Sequence, residues 1–203
     1  MMYANSFSAT IYSMKIVHVP HSVLNTQAKP VHIIDKKIKK IAYDMIDLLE
    51  NQKNPEGVGL AANQIGLPYA LFIVKPTKKD HAIICFNPEI IKIENGKPTL
   101  SPSNQPTEGH KVEGEKRKKK RQKLEGCLSI PYMWGRVDRA PKVMLRFTDI
   151  DGKTHKQWFV GFQAIIVQHE MDHLNGILFT QRVLEQGNQM YKEVDGELKR
   201  FEI

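Results

Sequence analysis

The sequence predicts an α+β fold in which short, mostly antiparallel strands surround a central helix, with further helices near the N- and C-termini. Three observations lead there. Ile34, Ile38, Ile41, Met45, Leu48 and Leu49 recur at helical spacing between Asp35 and Glu50. Several brief segments rich in branched and aromatic residues, such as 69–75 and 143–148, are bounded by turn residues and read as strands. After them, Phe162, Ala164, Ile165, Ile166 and Val167 form an apolar run that opens directly onto Gln168-His169-Glu170-Met171-Asp172-His173-Leu174-Asn175-Gly176. Such a run has the length and flanks of a buried helix, and Gly176 is placed to end it.

Composition sets the outer bounds. A chain of 203 residues is most simply one domain over residues 15–203, with residues 1–14 an N-terminal extension or leader remnant lacking a secretory signal pattern. The hydrophobic share is 41% and the charged share 26%, ordinary for a globular protein. No apolar run reaches the roughly 18–20 residues that span a bilayer, so no membrane partner is expected. Two cysteines make no disulfide framework, which favours a reducing compartment, and Cys85 reads as a small buried hydrophobe. The net charge of +8 is mostly local: residues 108–123 hold eight basic and three acidic side chains, a net of +5. No aromatic residue interleaves that run, so it offers no base-stacking platform and no specific nucleic-acid partner is expected.

Taken in order, 15–20 reads as a short strand or extended arm stopped by Pro20, and 35–50 as an amphipathic helix closed by Asn54-Pro55-Glu56. Gly57-Val58-Gly59-Leu60-Ala61-Ala62-Asn63-Gln64 lacks the third glycine or Lys-Ser/Thr of a phosphate loop, and its glycines instead admit close backbone approach. Strands follow at 69–75, 82–87 and 89–93. Periodicity then vanishes over 95–123, a low-complexity basic insertion. A short strand over 125–131 carries Cys127, and 143–148 pairs with 155–160 across an Asp-Gly turn at 151–152. Residues 189–201 read as a polar C-terminal helix.

The chemistry gathers on the central helix. His169 and His173, at i and i+4, stack on one face and can grip one divalent metal, with Glu170 near enough to act on water bound there. A third ligand has three candidates. A third His three residues past the Gly is absent, because Phe179 stands there. Glu193 lies at the distance of a downstream carboxylate ligand and supports the alternative, a His-Glu-x-x-His metallopeptidase, but nothing apolar surrounds it. Cys127 gives a soft ligand at the mouth of an apolar strand, and a Cys-His-His set leaves the fourth tetrahedral position open, as catalysis requires. Gln64 projects an amide from a small apolar stretch, equally suited to bonding a neighbouring backbone group or to stabilising an oxyanion.

Together Gly57 to Gln64, Glu125-Gly126-Cys127-Leu128-Ser129 and Gln168 to Gly176, in that order, resemble peptide deformylase from about Lys15 to the C-terminus, apart from the insertion. The resemblance implies an α+β hydrolase that removes the N-formyl group from formyl-methionine on newly made polypeptides. Its cofactor would be one divalent metal ion, iron(II) first, with zinc, cobalt or nickel as alternatives. It assigns Cys127, His169 and His173 as ligands, Glu170 as proton carrier, and the Gln64 amide and Leu128 N–H as oxyanion donors. It places the substrate chain beside Val58, Gly59 and Leu60, and its methionine among Val58, Phe162, Ile165 and Ile166. Glu125 and Asp172 become candidates for orienting ligands. The implied partner is an N-formylmethionyl nascent polypeptide, with transient ribosome proximity. Asn63, Lys123 and Trp134 depart from the residues usual in the family, which leaves peptide preference open. The basic insertion and a Lys/Asn/Ile-rich chain point to a eukaryotic organelle, plastid (such as an apicoplast) or mitochondrion, with the bacterial cytoplasm as the alternative.

Overall fold

The computed structural model describes residues 14–53, 56–95 and 124–202. Apart from Met14 and Asn95, the expected N-terminal extension and basic insertion lie outside those residues, as do Asn54, Pro55 and Lys123.

Helix α1, Lys36–Glu50, begins where the Asp35 side chain accepts the Ile38 N–H at 2.8 Å and so satisfies one of the donors a helix start leaves open. It buries Ile38, Ala42, Met45 and Leu49, which pack on Leu60, Leu71, Ile73 and Phe86. Each such side chain contributes roughly 1.5–3 kcal/mol on leaving water. The helix stops at Glu50 with Asn51 as its cap, ahead of the Asn54-Pro55 pair expected to end it.

Five strands form one antiparallel sheet. They are β1 (Gly59–Ala61), β2 (Leu71–Val74), β3 (Ile83–Glu94), β6 (Lys142–Thr148) and β7 (Thr154–Val160), in spatial order β1-β2-β3-β6-β7. The two strands expected over 82–87 and 89–93 are one, β3, and the register against β6 shifts between Phe86 and Glu89, around Pro88. Proline lacks an N–H to give the ladder, so a long strand accommodates it at an irregularity. The β6–β7 pair is the hairpin expected, closed by Gly152 at φ 83°.

A second sheet of four strands has the order β4-β5-β8-β9. The strand expected over 125–131 is a hairpin instead: β4 (Glu125–Cys127) turns through Leu128 and Ser129 into β5 (Ile130–Gly135). The polar helix expected over 189–201 is also a hairpin, β8 (Met190–Val194) and β9 (Glu197–Phe201). Asp195 at φ 55° and Gly196 at φ 79° make the tight turn between them, and an Asp-Gly pair with both residues left-handed closes two-residue hairpins. The helix near the C-terminus is α3, Phe179–Glu185.

Helix α2, Phe162–Leu174, is the middle of the molecule. Ala164, Ile166 and Val167 pack into the core beneath β2 and β6, while Glu170, Asp172 and His173 are buried on the same helix. Gly176 ends it at φ 72°, and a Cβ there would meet the Asn25 carbonyl carbon at 2.7 Å, so glycine is required twice over. Residues 15–18 form the extended arm rather than a strand. The Val17 N–H donates to the Gln64 carbonyl at 2.8 Å and the Val19 N–H to the Ser129 carbonyl at 3.1 Å.

Candidate metal centre

One helical turn separates His169 from His173 and brings their rings to 4.9 Å between centroids. The end of β4 delivers Cys127, whose Sγ lies 3.1 Å from His173 Nε2. One ligand atom from each of these residues lies within 4.8 Å of the others. Bonds of about 2.0–2.3 Å around a tetrahedral ion need that kind of spacing, and one thiolate with two imidazoles is a donor set that borderline-soft divalent ions accept. Cys127 is 5% exposed and His173 1%. No other group of three such side chains comes together among the described residues.

Glu125 lies behind His169, with Oε2 3.2 Å from Nδ1. Arg139 grips both oxygens of Glu125, Nε to Oε1 at 2.9 Å and Nη2 to Oε2 at 3.0 Å. Its Nη1 reaches Asp172 Oδ2 at 2.5 Å, and Asp172 also accepts from Arg182 Nη2 at 2.7 Å. Two carboxylates and two guanidinium groups thus balance each other below the site, which is how buried charge is tolerated. The Asp172 carboxylate is held by Arg139 and Arg182, so it reaches the ligand sphere indirectly, through Arg139 and Glu125.

These contacts set the proton affinities. Burial pushes the Glu125 carboxyl up, but hydrogen bonds from His169 and Arg139 outweigh it and hold the group below the usual carboxylate range. Burial lowers the proton affinity of His169, yet its hydrogen bonds to Cys127 and Glu125 prevail and raise it well above that of a free imidazole. A cation between the three donors would replace that proton. Burial pushes His173 well below the ordinary imidazole value, with the nearby positive charges of His169 and Arg139 adding to it. Burial also raises Glu170 to about 7.

Glu170 is 3% exposed, and its Oε2 has no hydrogen-bond partner among the described residues. Gly59 lies against it: a Cβ at 59 would sit 2.8 Å from Ile166 Cγ2 and nearer still to Glu170 Oε1. Gln64 is 2% exposed and oriented from both ends. Its Oε1 accepts the Ala61 N–H at 2.8 Å, while Nε2 lies 3.5 Å from Cys127 Sγ and 3.4 Å from Ser129 Oγ. Asn63, beside it, donates from Nδ2 to the His173 carbonyl.

One cavity is lined by Val58, Gly59, Gln64, Cys127, Leu128, Phe162, Ile165, Ile166, His169 and Glu170, so most of the residues singled out in the sequence border it. Leu60 does not. Its side chain is fully buried against α1, and only its backbone belongs to the β1 edge. Glu193 is also elsewhere: it lies on β8 and accepts the Trp134 Nε1–H at 2.9 Å. Arg139 was missed, and Gly126 and Ser129 were given no role of their own; Trp134, noted in the sequence as a departure, borders the cavity. Arg139 sits in an irregular stretch before Pro141, and its only sequence signal is the need for a cation to balance Glu125 and Asp172.

Both sheets present an edge to this cavity, β1 through Val58 and Gly59 and β4 through Glu125 and Gly126. The Lys75 N–H donates to the Val58 carbonyl at 2.8 Å. By the alternation of an antiparallel ladder, Gly59 then turns its N–H and C=O away from β2.

The sequence model of the polypeptide deformylase family matches residues 13–189. The peptide deformylase of Rhodopirellula baltica is 36% identical over 191 residues, covering 93% of this chain and 80% of that one. Peptide deformylase 1 of Bacillus subtilis is 37% identical over 169 residues, covering 83% and 89%. Among solved structures, a peptide deformylase from Legionella pneumophila superposes with a TM-score of 0.66 at 32% identity, over 83% of this chain and 84% of that one. A plant peptide deformylase gives the same TM-score at 27% identity, over 92% and 87%. The match runs through all three segments that border the cavity, and the chain belongs to the polypeptide deformylase family.

Proposed function

We propose that this chain removes the formyl group from N-formylmethionine on newly made polypeptides with Cys127, His169 and His173 as metal ligands and Glu170 as the proton carrier. A divalent ion held there supplies Lewis acidity, polarising the formyl oxygen and making water nucleophilic at neutral pH. Iron(II) is the proposed ion, with zinc, cobalt and nickel as alternatives. Glu170 takes a proton from the attacking water and delivers it to the leaving amine, so that formyl amide and water become formate and a free N-terminus. Burial gives it a proton affinity near neutrality, suited to both acts. The Gln64 Nε2–H and the Leu128 N–H are the proposed donors to the oxyanion. The Gln64 bond to the Ala61 N–H supports this, since it fixes which end of the amide faces the cavity.

The peptide lies as an added strand between the β1 and β4 edges, with its methionine toward Val58, Phe162, Ile165 and Ile166. Glu125 orients His169, and Asp172 acts on Glu125 through Arg139. The observation that carries the reading is the convergence of one thiol and two imidazoles beside a buried carboxylate oxygen with no hydrogen-bond partner among the described residues. Formate release from formyl-Met-Ala-Ser by anaerobically purified protein, with metal analysis of the same sample, tests it. Cys127→Ser should abolish both metal content and turnover, whereas retained metal would remove Cys127 from the ligand set.

The proposed compartment is a plastid-type or mitochondrial organelle, where formylated chains and transient ribosome proximity would coincide. The Lys/Asn/Ile-rich composition and basic run support it. Imaging the tagged full-length precursor decides between an organelle and the bacterial cytoplasm.

A further inference from the structure

We propose that Asn63 is the positioning residue of His173: its Oδ1 takes up the imidazole Nδ1–H, directly or across one enclosed water, while its Nδ2 holds the backbone carbonyl of the same histidine. The inference rests on the metal-ligand reading above. An imidazole that binds an ion through one nitrogen carries its proton on the other. That N–H is almost always given to a carboxylate, a carbonyl or a water, which fixes the tautomer and the ring. His169 has such a partner in Glu125, whose Oε2 lies 3.2 Å from Nδ1. His173 turns Nε2 to Cys127 Sγ at 3.1 Å, which leaves Nδ1 to carry the proton. The residue is 1% exposed, and Nδ1 has no hydrogen-bond partner among the described residues.

Asn63 supplies the complement. It lies fully buried in the short 3-10 turn Ala62–Ile65, and its Nδ2 donates to the His173 carbonyl. That bond fixes the amide, because turning it over would set oxygen against oxygen. The Oδ1 end is then an acceptor by necessity, and it too has no hydrogen-bond partner among the described residues. One other buried side-chain atom there shares that condition, Glu170 Oε2, and Glu170 borders the cavity, where the proposed reaction uses it. The carboxylates nearby are committed, Glu125 to His169 and Arg139, Asp172 to Arg139 and Arg182. One enclosed donor and one enclosed acceptor thus sit on two residues already bonded to each other. Leaving both unmade is costly, and a bridging water serves nearly as well as direct contact.

The test is the imidazole N–H spectrum of zinc-loaded protein with isotope-labelled histidine. In wild type the His169 and His173 Nδ1 protons should both be protected from exchange with solvent. Asn63→Leu, close in volume but without either end of the amide, should lose the protection at His173 alone. It should also bind zinc about 10–100-fold more weakly in chelator competition. Asn63→Asp keeps the acceptor and removes the donor to the carbonyl. It should hold zinc more tightly than Asn63→Leu and move the His173 proton downfield, since a charged acceptor makes the stronger bond. A residue that only anchored the end of α2 would weaken zinc binding equally in both variants, because neither can donate to that carbonyl. Equal weakening therefore overturns the proposal. So does a His173 proton that is unprotected in wild type or unmoved by Asn63→Asp, and these two results decide even if Asn63→Leu does not fold. If wild type takes up no zinc, the ligand reading fails separately. The metal-free spectrum then decides this inference: a protected His173 Nδ1 proton that moves in Asn63→Asp supports it, and any other result overturns it.

Discussion

Glu170 concentrates the residue-scale chemistry. Replacing it by Gln keeps the volume and removes the proposed proton acceptor, so kcat should fall about 10²–10⁴-fold with metal content retained, read by formate release and metal analysis. The same side chain leaves a mark on the metal-free protein. Its folded proton affinity, about 7, lies above the ordinary 4.5, so burial favours the neutral form. The stability it contributes is complete below about pH 4.5 and is lost as pH rises through 7. Urea unfolding of chelated protein should therefore show wild type losing on the order of 3 kcal/mol more than Glu170→Gln across that window. For Gln64→Ala, loss of one proposed oxyanion donor should lower kcat about 10²–10³-fold. His169, Glu170, His173 and Cys127 were legible because local spacing and scarcity of cysteine single them out. Arg139 was not, since its role exists only once Glu125 and Asp172 have been brought together by separate strands and helices.

At the scale of elements, Arg139 joins β4 to α2 through its two carboxylate partners. Its side chain is 7% exposed, so Arg139→Met would strand Glu125 and Asp172 without their shared cation. Breaking a buried ion pair from one side costs about 3–5 kcal/mol, and loss of an orienting partner weakens metal binding about 10–100-fold. Denaturant midpoints and chelator competition measure the two effects independently. Helix α1 could be read from its apolar period and Asp35 cap, and α2 from the run ahead of His169. The β8–β9 hairpin was misread as a helix although Asp195-Gly196 carried a hairpin turn signal, because the polar stretch around it lacks the alternation that marks a strand. The split of 125–131 into two strands was hidden for another reason: a turn at Leu128-Ser129 contains neither Gly nor Pro.

For the whole molecule, the site is where two sheets and the central helix meet, with Cys127 from one sheet and both histidines from α2. An ion bound there ties β4 to α2. Saturating it at about 100 times its Kd stabilises the fold by about 2.7 kcal/mol. In a chain of this length that is about 5–10 °C in Tm. Chelation should lower Tm by this amount in wild type and leave Cys127→Ser unmoved, as calorimetry will show. Sequence periodicity conveys the existence of strands but not which edges face each other, so the opposition of β1 and β4 across the cavity emerges only in three dimensions.

The arm at 15–19 has a consequence for how the enzyme tolerates processing. One of its amides holds the carbonyl of Gln64 and another that of Ser129, the residue after Leu128, so the arm works as a stitch across the two proposed oxyanion donors. A protease trimming the chain to Lys15 would leave that stitch in place. A cut beyond Val19 would undo it, and a mature N-terminus at residue 21 should retain its metal yet turn over slowly.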